Sequence, residues 1–265
     1  MTRYTKFAVV GAGTLGNFIV QQLLKDEAAG IIKEVNVLTR QVWFSSSLYV
    51  VGDMAEYPLA VDTKGSKTSI QGDAKVIQVD YSNDESIRRP LAGVEVLIST
   101  ISGEALNVQG KIAAAAKDVD VKLFVPSDFG GITEGATEGL FGAKANIQNQ
   151  LKALGIPYAV FYTGPFADYI WSSYVIRALW LFHPINHTVK RFLDLDVTSG
   201  KVSVGGDGNG QILFTSRTDI ARYVSYVLTH LPPEQLKNRT FTIAGENKVR
   251  SNPWDSCHGL AVLSD

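Results

Sequence analysis

Phe7-Ala8-Val9-Val10-Gly11-Ala12-Gly13-Thr14-Leu15-Gly16 joins a short apolar run to a GxGxxG loop, and Leu15, Phe18, Ile19, Leu23 and Leu24 then recur at helical spacing. Phe7 to Val10 reads as a buried parallel strand and the pattern after it as an amphipathic helix. In that setting Gly11 permits a tight turn, Gly13 lets the backbone approach a pyrophosphate, and Gly16 lets the helix pack close to the strand. The helix start offers unpaired N–H groups to phosphate. Ordinary glycine turns share the GxGxxG spacing; the strand before it and the helix after it are what point to a dinucleotide. Gly11, Gly13, Thr14, Leu15 and Gly16 are therefore expected to contact a nucleotide cofactor.

Working outward, strand patterns recur at Glu34 to Leu38, Val76 to Val79, Val94 to Ser99, Val121 to Val125 and Tyr158 to Tyr162. Helical patterns separate them around Ile87, from Ala105 to Lys117 and from Ala143 to Leu154, with Gly155-Ile156-Pro157 as a stop signal. Alternation of this kind predicts an α/β fold, a doubly wound parallel sheet of the Rossmann type. After Gly164-Pro165 the rhythm changes to an aromatic helical stretch, Tyr169 to Phe182, and then to a glycine-rich segment within Lys201 to Phe214. Thr218-Asp219-Ile220-Ala221 opens a capped amphipathic helix, and Phe241 to Ala244 reads as a short strand. The expected organisation is a nucleotide-binding unit over 1–165, a smaller substrate region over 166–248 and an atypical tail over 249–265.

Residues 42–63 and 249–265 fit neither period. Removing 42–63 would join Leu38-Thr39-Arg40-Gln41 to Lys64-Gly65-Ser66-Lys67, a polar loop of ordinary length. Both segments begin with valine, whose codon starts with the GT that opens most introns. Retained intron sequence accounts for both; a genuine loop and tail account for them equally well.

The 265 residues are 45% hydrophobic and 19% charged, enough to bury one substantial core. A net charge of -1 gives no electrostatic reason to expect nucleic acid or an anionic membrane as partner. Cys257 is the single cysteine, which excludes intrachain disulfides and makes a reducing, cytoplasmic setting the expectation. Phe7 to Val10 is too short for a secretory signal core, and no apolar stretch is long enough to span a bilayer.

Where NAD-specific sites place an acid for the ribose 2′-hydroxyl, the chain has Thr39-Arg40. A guanidinium offers a charged fork to a 2′-phosphate, which favours NADP(H), although a solvated surface arginine satisfies the same spacing. Asp80-Tyr81 ends the third strand, where it meets an adenine edge or, more simply, caps the next helix. Ser99-Thr100-Ile101-Ser102-Gly103 ends the fourth strand at the edge where ligands of such sheets collect, so the backbone of Thr100 and Ile101 is expected to line the cofactor.

Leu123-Phe124-Val125-Pro126-Ser127-Asp128-Phe129-Gly130 follows, with Lys144 on the next helix and Phe161-Tyr162-Thr163-Gly164-Pro165-Phe166 beyond it. Together with Val9 to Gly16 and Leu38 to Arg40, these stretches resemble the NmrA-like, isoflavone-reductase-like branch of atypical short-chain dehydrogenases, over about residues 5–41 and 64–247. The family's Phe-Val-Pro-Ser-Glu-Phe-Gly signature appears here with Asp128 in place of the glutamate. The resemblance implies a Rossmann domain binding NADPH, with Ser127 and Phe129 beside the cofactor, and a lysine at the position of Lys144 that contacts cofactor or substrate. Leu140 stands four residues before Lys144, so the tyrosine of a YxxxK pair is missing and Lys144 is the candidate proton donor during hydride transfer. Phe129, Tyr162, Phe166 and Tyr169 are expected to wall a small aromatic or enone-type substrate. The family also includes regulators that bind NADP without turnover and act on a protein partner, and its C-terminal helices normally help close the substrate pocket.

His183 and His187 sit four apart, but Pro184 interrupts a helix between them and no carboxylate or cysteine completes a ligand set, so no metal is expected. Glu134 and Glu138 lie with Asp128 around a glycine-rich loop expected to be a solvated lid or connector.

Overall fold

The computed structural model describes residues 3–40, 74–168, 195–196, 201–202 and 211–249. Five parallel strands, β1 (Lys6–Val10), β2 (Glu34–Thr39), β3 (Lys75–Gln78), β4 (Val96–Ser99) and β5 (Leu123–Val125), form one sheet in the order β3-β2-β1-β4-β5. A parallel bridge between Phe124 and Tyr158 extends the order to β6 (Ala159–Tyr162). Later strands are β7 (Leu195–Asp196) and β8 (Lys201–Val202), which pair with each other, and β9 (Gln211–Phe214). They are followed by β10 (Arg239–Thr242), which pairs parallel with β6, and β11 (Glu246–Val249), antiparallel to β9.

Alternation along the buried strands sends neighbouring side chains to opposite faces of the sheet. Phe7, Val9, Val35, Val37, Val96 and Ile98 point to one face, covered by α1 (Gly16–Ala28) and by a late helix that begins at Arg217. Ala8, Val10, Leu38, Leu97 and Phe124 point to the other. That face is covered by α2 (Asp84–Leu91), α3 (Val108–Asp118) and α4 (Gly139–Leu154). The late helix, α5 (Arg217–His230), is followed by the short α6 (Pro233–Leu236). The chain thus returns from its C-terminal third to finish both the core beside α1 and the sheet beside β6.

Several boundaries differ from the sequence pattern for local reasons. The helix expected from Ala105 to Lys117 is a 3-10 turn, Gly103–Asn107, leading into α3. Asp80 is not the cap of α2; Asn83 is, its side chain accepting from the amides of Glu85 and Ser86. Likewise Ser216, which accepts from the Asp219 amide, caps α5 two residues before Thr218, the expected start. Gly155 ends α4 in the left-handed conformation, φ +65°, as the stop signal requires.

Candidate active site

In the order β3-β2-β1-β4 successive strands are added first on one side of β1 and then on the other, so the crevice beyond the carboxyl ends of β1 and β4 is the place where such sheets bind ligands. Gly11 stands there at φ +86°, its amide bonded to the Leu38 carbonyl at 3.0 Å. A Cβ on Gly16 would overlap the Gly11 carbonyl oxygen and the Thr100 hydroxyl, whereas a Cβ on Gly13 would meet nothing within 4 Å. One glycine is therefore required by packing and the other faces open space. Helix α1 begins without a side-chain cap or an acid in its first turn, which leaves its N-terminal end suited to an anion. These features fit the pyrophosphate of a dinucleotide.

Thr100 donates its hydroxyl to the carbonyls of Gly11 and Val10. Its side chain fixes the turn, and Ile101 beside it is buried.

A cleft of about 930 Å³ lies at the ends of β2 and β3, lined by Arg40, Tyr81, Ser82 and Lys111 among others. Arg40 is exposed, and its carbonyl accepts from the Gln78 side chain at 3.3 Å. Burial pushes the Tyr81 hydroxyl up to about 12, with the Arg40 charge acting the other way. Asp80 accepts from the Ser82 hydroxyl and amide at 2.6 and 2.8 Å, bonds that hold its carboxyl below the usual range. The charge of Lys111 acts on it in the same sense, and Arg40 is the second cation lining the cleft.

Beyond β5 the chain builds a second polar centre. Asp128 is 1% exposed, and its carboxylate accepts from the Thr133 hydroxyl at 2.7 Å and from the Gln148 side-chain amide. Gln148 also lies 3.0 Å from the Thr133 hydroxyl and 3.3 Å from that of Tyr162. Lys144, one turn before Gln148 on α4, donates to the Phe129 carbonyl at 3.2 Å. Burial lowers the pKa of its ammonium, and the charge of Asp128 opposes that shift. The loop expected to be a solvated lid is thus pinned at Thr133, which is fully buried, while Ile132 on that loop and Leu140 and Phe141 in the first turn of α4 are exposed.

The expected site residues divide among three environments. Gly11, Gly13, Thr14, Leu15, Gly16, Thr100 and Ile101 gather at the crevice, and Arg40 lies in the neighbouring cleft. Ser127 is buried, with its amide bonded to the Gln109 side chain at 3.0 Å. Phe129 turns its ring into the core against Phe161 and offers its carbonyl to Lys144. Tyr162 is buried with its hydroxyl in the Asp128 cluster, and Phe166 packs against the core beside a bridge to Thr215. Tyr169, His183 and His187 lie outside the described residues. Thr133, Gln148 and Gln109 escaped the sequence reading; only the spacing of Gln148 from Lys144, one turn along the same helix face, marks any of them in advance. Among the described residues no group of histidine, cysteine and carboxylate side chains has the arrangement of a metal site, and no helix is long and apolar enough to cross a membrane.

Sheet order, glycine crevice and flanking helices define a nucleotide-binding α/β protein of the Rossmann type. The chain belongs to the NmrA-like family, whose model matches residues 4–248. It is 32% identical over 150 residues to isoflavone reductase homolog A622 of Nicotiana glauca, covering 54% of this chain and 44% of that protein. To phenylcoumaran benzylic ether reductase Pyrc5 of Pyrus communis it is 30% identical over 186 residues, 64% of this chain and 56% of that one. The chain thus spans about half the length of these curated relatives. A solved structure of AtPrR2 with NADP+ and (+)pinoresinol superposes with a TM-score of 0.60 at 25% identity, covering 92% of this chain and 71% of that one.

Proposed function

We propose that the chain is an NADP(H)-dependent reductase acting on a small aromatic or enone-type molecule. The observation that carries this reading is the Lys144 ammonium, partly buried at the carboxyl edge of the sheet and anchored to the Phe129 carbonyl. The glycine loop would hold the pyrophosphate and Arg40 the 2′-phosphate. When bound, the reduced nicotinamide supplies a hydride.

Lys144 has three N–H donors, and the Phe129 carbonyl takes one. The others are available to orient a substrate oxygen and to deliver a proton as negative charge develops there. Desolvation eases proton release, while the charge of Asp128 acts in the opposite sense. Ile132, Leu140 and Phe141 are exposed apolar side chains suited to an aromatic ring. Support for the substrate class comes from them and from relatives named as reductases.

The test is NADPH oxidation with a panel of aromatic enones and quinones, comparing wild type with Lys144→Ala. Turnover that collapses in the variant supports the reading. Tight NADPH binding with no turnover on any compound favours instead a regulator that senses the cofactor and acts on a protein partner.

A further inference from the structure

Arg217 begins α5, yet its side chain reaches the glycine loop some two hundred residues earlier in the chain. Its Nη1 donates to the Thr14 carbonyl at 3.4 Å, and its guanidinium carbon lies 4.8 Å from the centre of the Phe18 ring. Its Nε stands 3.4 Å from Asp168 Oδ1, and its backbone amide donates to Asp168 Oδ2 at 2.8 Å. Arg217 is 8% exposed. A guanidinium so deeply placed needs partners on every side, and the fork gives it a fixed direction that a lysine cannot reproduce.

The partners named above come from two places. Thr14 and Phe18 belong to the glycine loop and the first turn of α1, whereas Asp168 belongs to the segment after β6. That segment is held by the Phe166–Thr215 bridge and by the Ala167 amide, which donates to the Thr215 carbonyl at 3.0 Å. The packing of α1 on α5 has its own fastenings, an apolar seam through Ile19, Leu23, Ile220 and Val224 and a hydrogen bond from Ser225 to Asp26 at the far end. Arg217 contacts Thr14 and Phe18, at the end of α1 that faces the crevice.

We propose that Arg217 is a positioning residue for dinucleotide binding: it fixes the Thr14 carbonyl, and with it the amides of the glycine loop, and links that loop through Asp168 to the segment following β6. The inference rests on the cofactor reading above. Because Asp168 neutralises the guanidinium, Arg217 acts through geometry, on the pyrophosphate end of the site and not on the 2′-phosphate end at Arg40.

The test compares calorimetric binding of NADPH with that of adenosine 2′-monophosphate, which carries only the end of the cofactor assigned to Arg40. The variants are Arg217→Met, Arg217→Lys and the double variant Asp168→Asn with Arg217→Met, which removes both charges and leaves no unpaired carboxylate; thermal melts report their folding. Loss of a charge-assisted contact predicts NADPH affinity about tenfold weaker or more in Arg217→Met and in the double variant, with adenosine 2′-monophosphate changed less than about twofold. Arg217→Lys should fall between wild type and Arg217→Met for NADPH. Equal weakening of both ligands, no weakening of either, or full recovery in the double variant overturns the inference while leaving the cofactor reading intact. Failure of the wild-type chain to bind NADPH overturns both.

Discussion

The Lys144 ammonium and the Phe129 carbonyl oxygen stand 3.2 Å apart, a contact from α4 to the loop after β5 that aims the lysine along a fixed line. Burial lowers the pKa of that ammonium and Asp128 opposes the shift. A general acid must be protonated, so turnover is expected to fall as pH rises through the lowered value, before the usual lysine range is reached. Asp128→Asn removes the opposing charge and should move the falling limb of kcat to lower pH. Lys144→Ala should abolish the limb and reduce kcat by about 10²-fold or more. A pH profile of kcat that is unchanged in Asp128→Asn contradicts the pairing.

The same shift has a stability consequence. Between the lowered pKa of the folded state and the usual lysine value of the unfolded chain, the unfolded chain binds the proton and the folded one does not. Stability therefore gains a contribution that grows with pH across that alkaline window. Lys144→Met should remove it, flattening the dependence of the denaturation midpoint on pH there.

Gly13 and Gly16 separate binding from folding. A methyl at Gly16 overlaps the Gly11 carbonyl and the Thr100 hydroxyl, so Gly16→Ala should destabilise the fold by about 1–3 kcal/mol. A methyl at Gly13 enters open space, so Gly13→Ala should leave the melting temperature nearly unchanged and weaken NADPH. Melting curves with and without NADPH check both; equal destabilisation by the two changes would contradict the assignment.

Gln148 is the donor that Asp128 shares with Thr133 and Tyr162. Gln148→Leu leaves a buried carboxylate with one side-chain donor fewer, and should cost about 1–3 kcal/mol in a denaturant titration. An unchanged midpoint would show that the cluster is not held by this bond.

Residues 42–63 stand between β2 and β3, neighbouring parallel strands. Their removal leaves residues 40, 41 and 64–74 for the connection, enough for the crossover that parallel strands need. We propose that a chain lacking 42–63 folds with an unchanged or higher melting temperature. Loss of folding would show that the segment is an integral part of the unit.

Much of this architecture was legible because its signals are local. Phe7 to Val10 had to be a buried strand, and the helix after Gly16 repeats apolar residues on one face. The place of Arg40 directly after β2 was legible because the strand before it has a clear pattern. The Asp128 cluster was not, since its members come from a loop, a helix and a strand that meet only when α4 folds back over β5 and β6. Arg217 was hidden for the same reason: nothing near it in sequence announces a contact with Thr14. The rings of Phe129 and Tyr162 show the converse, since aromatic spacing alone does not separate a pocket wall from a side chain turned into the core.

A dinucleotide whose 2′-phosphate meets Arg40 should bind in preference to one that lacks the phosphate. The measurement is thermal stability of the purified chain titrated with NADPH and, separately, NADH, in wild type and Arg40→Ala, because a ligand that binds only the folded state raises the melting temperature. The prediction is stabilisation by NADPH at much lower concentration than by NADH in wild type, with that preference lost in Arg40→Ala. Equal responses to the two cofactors in wild type, or none to either, would contradict it.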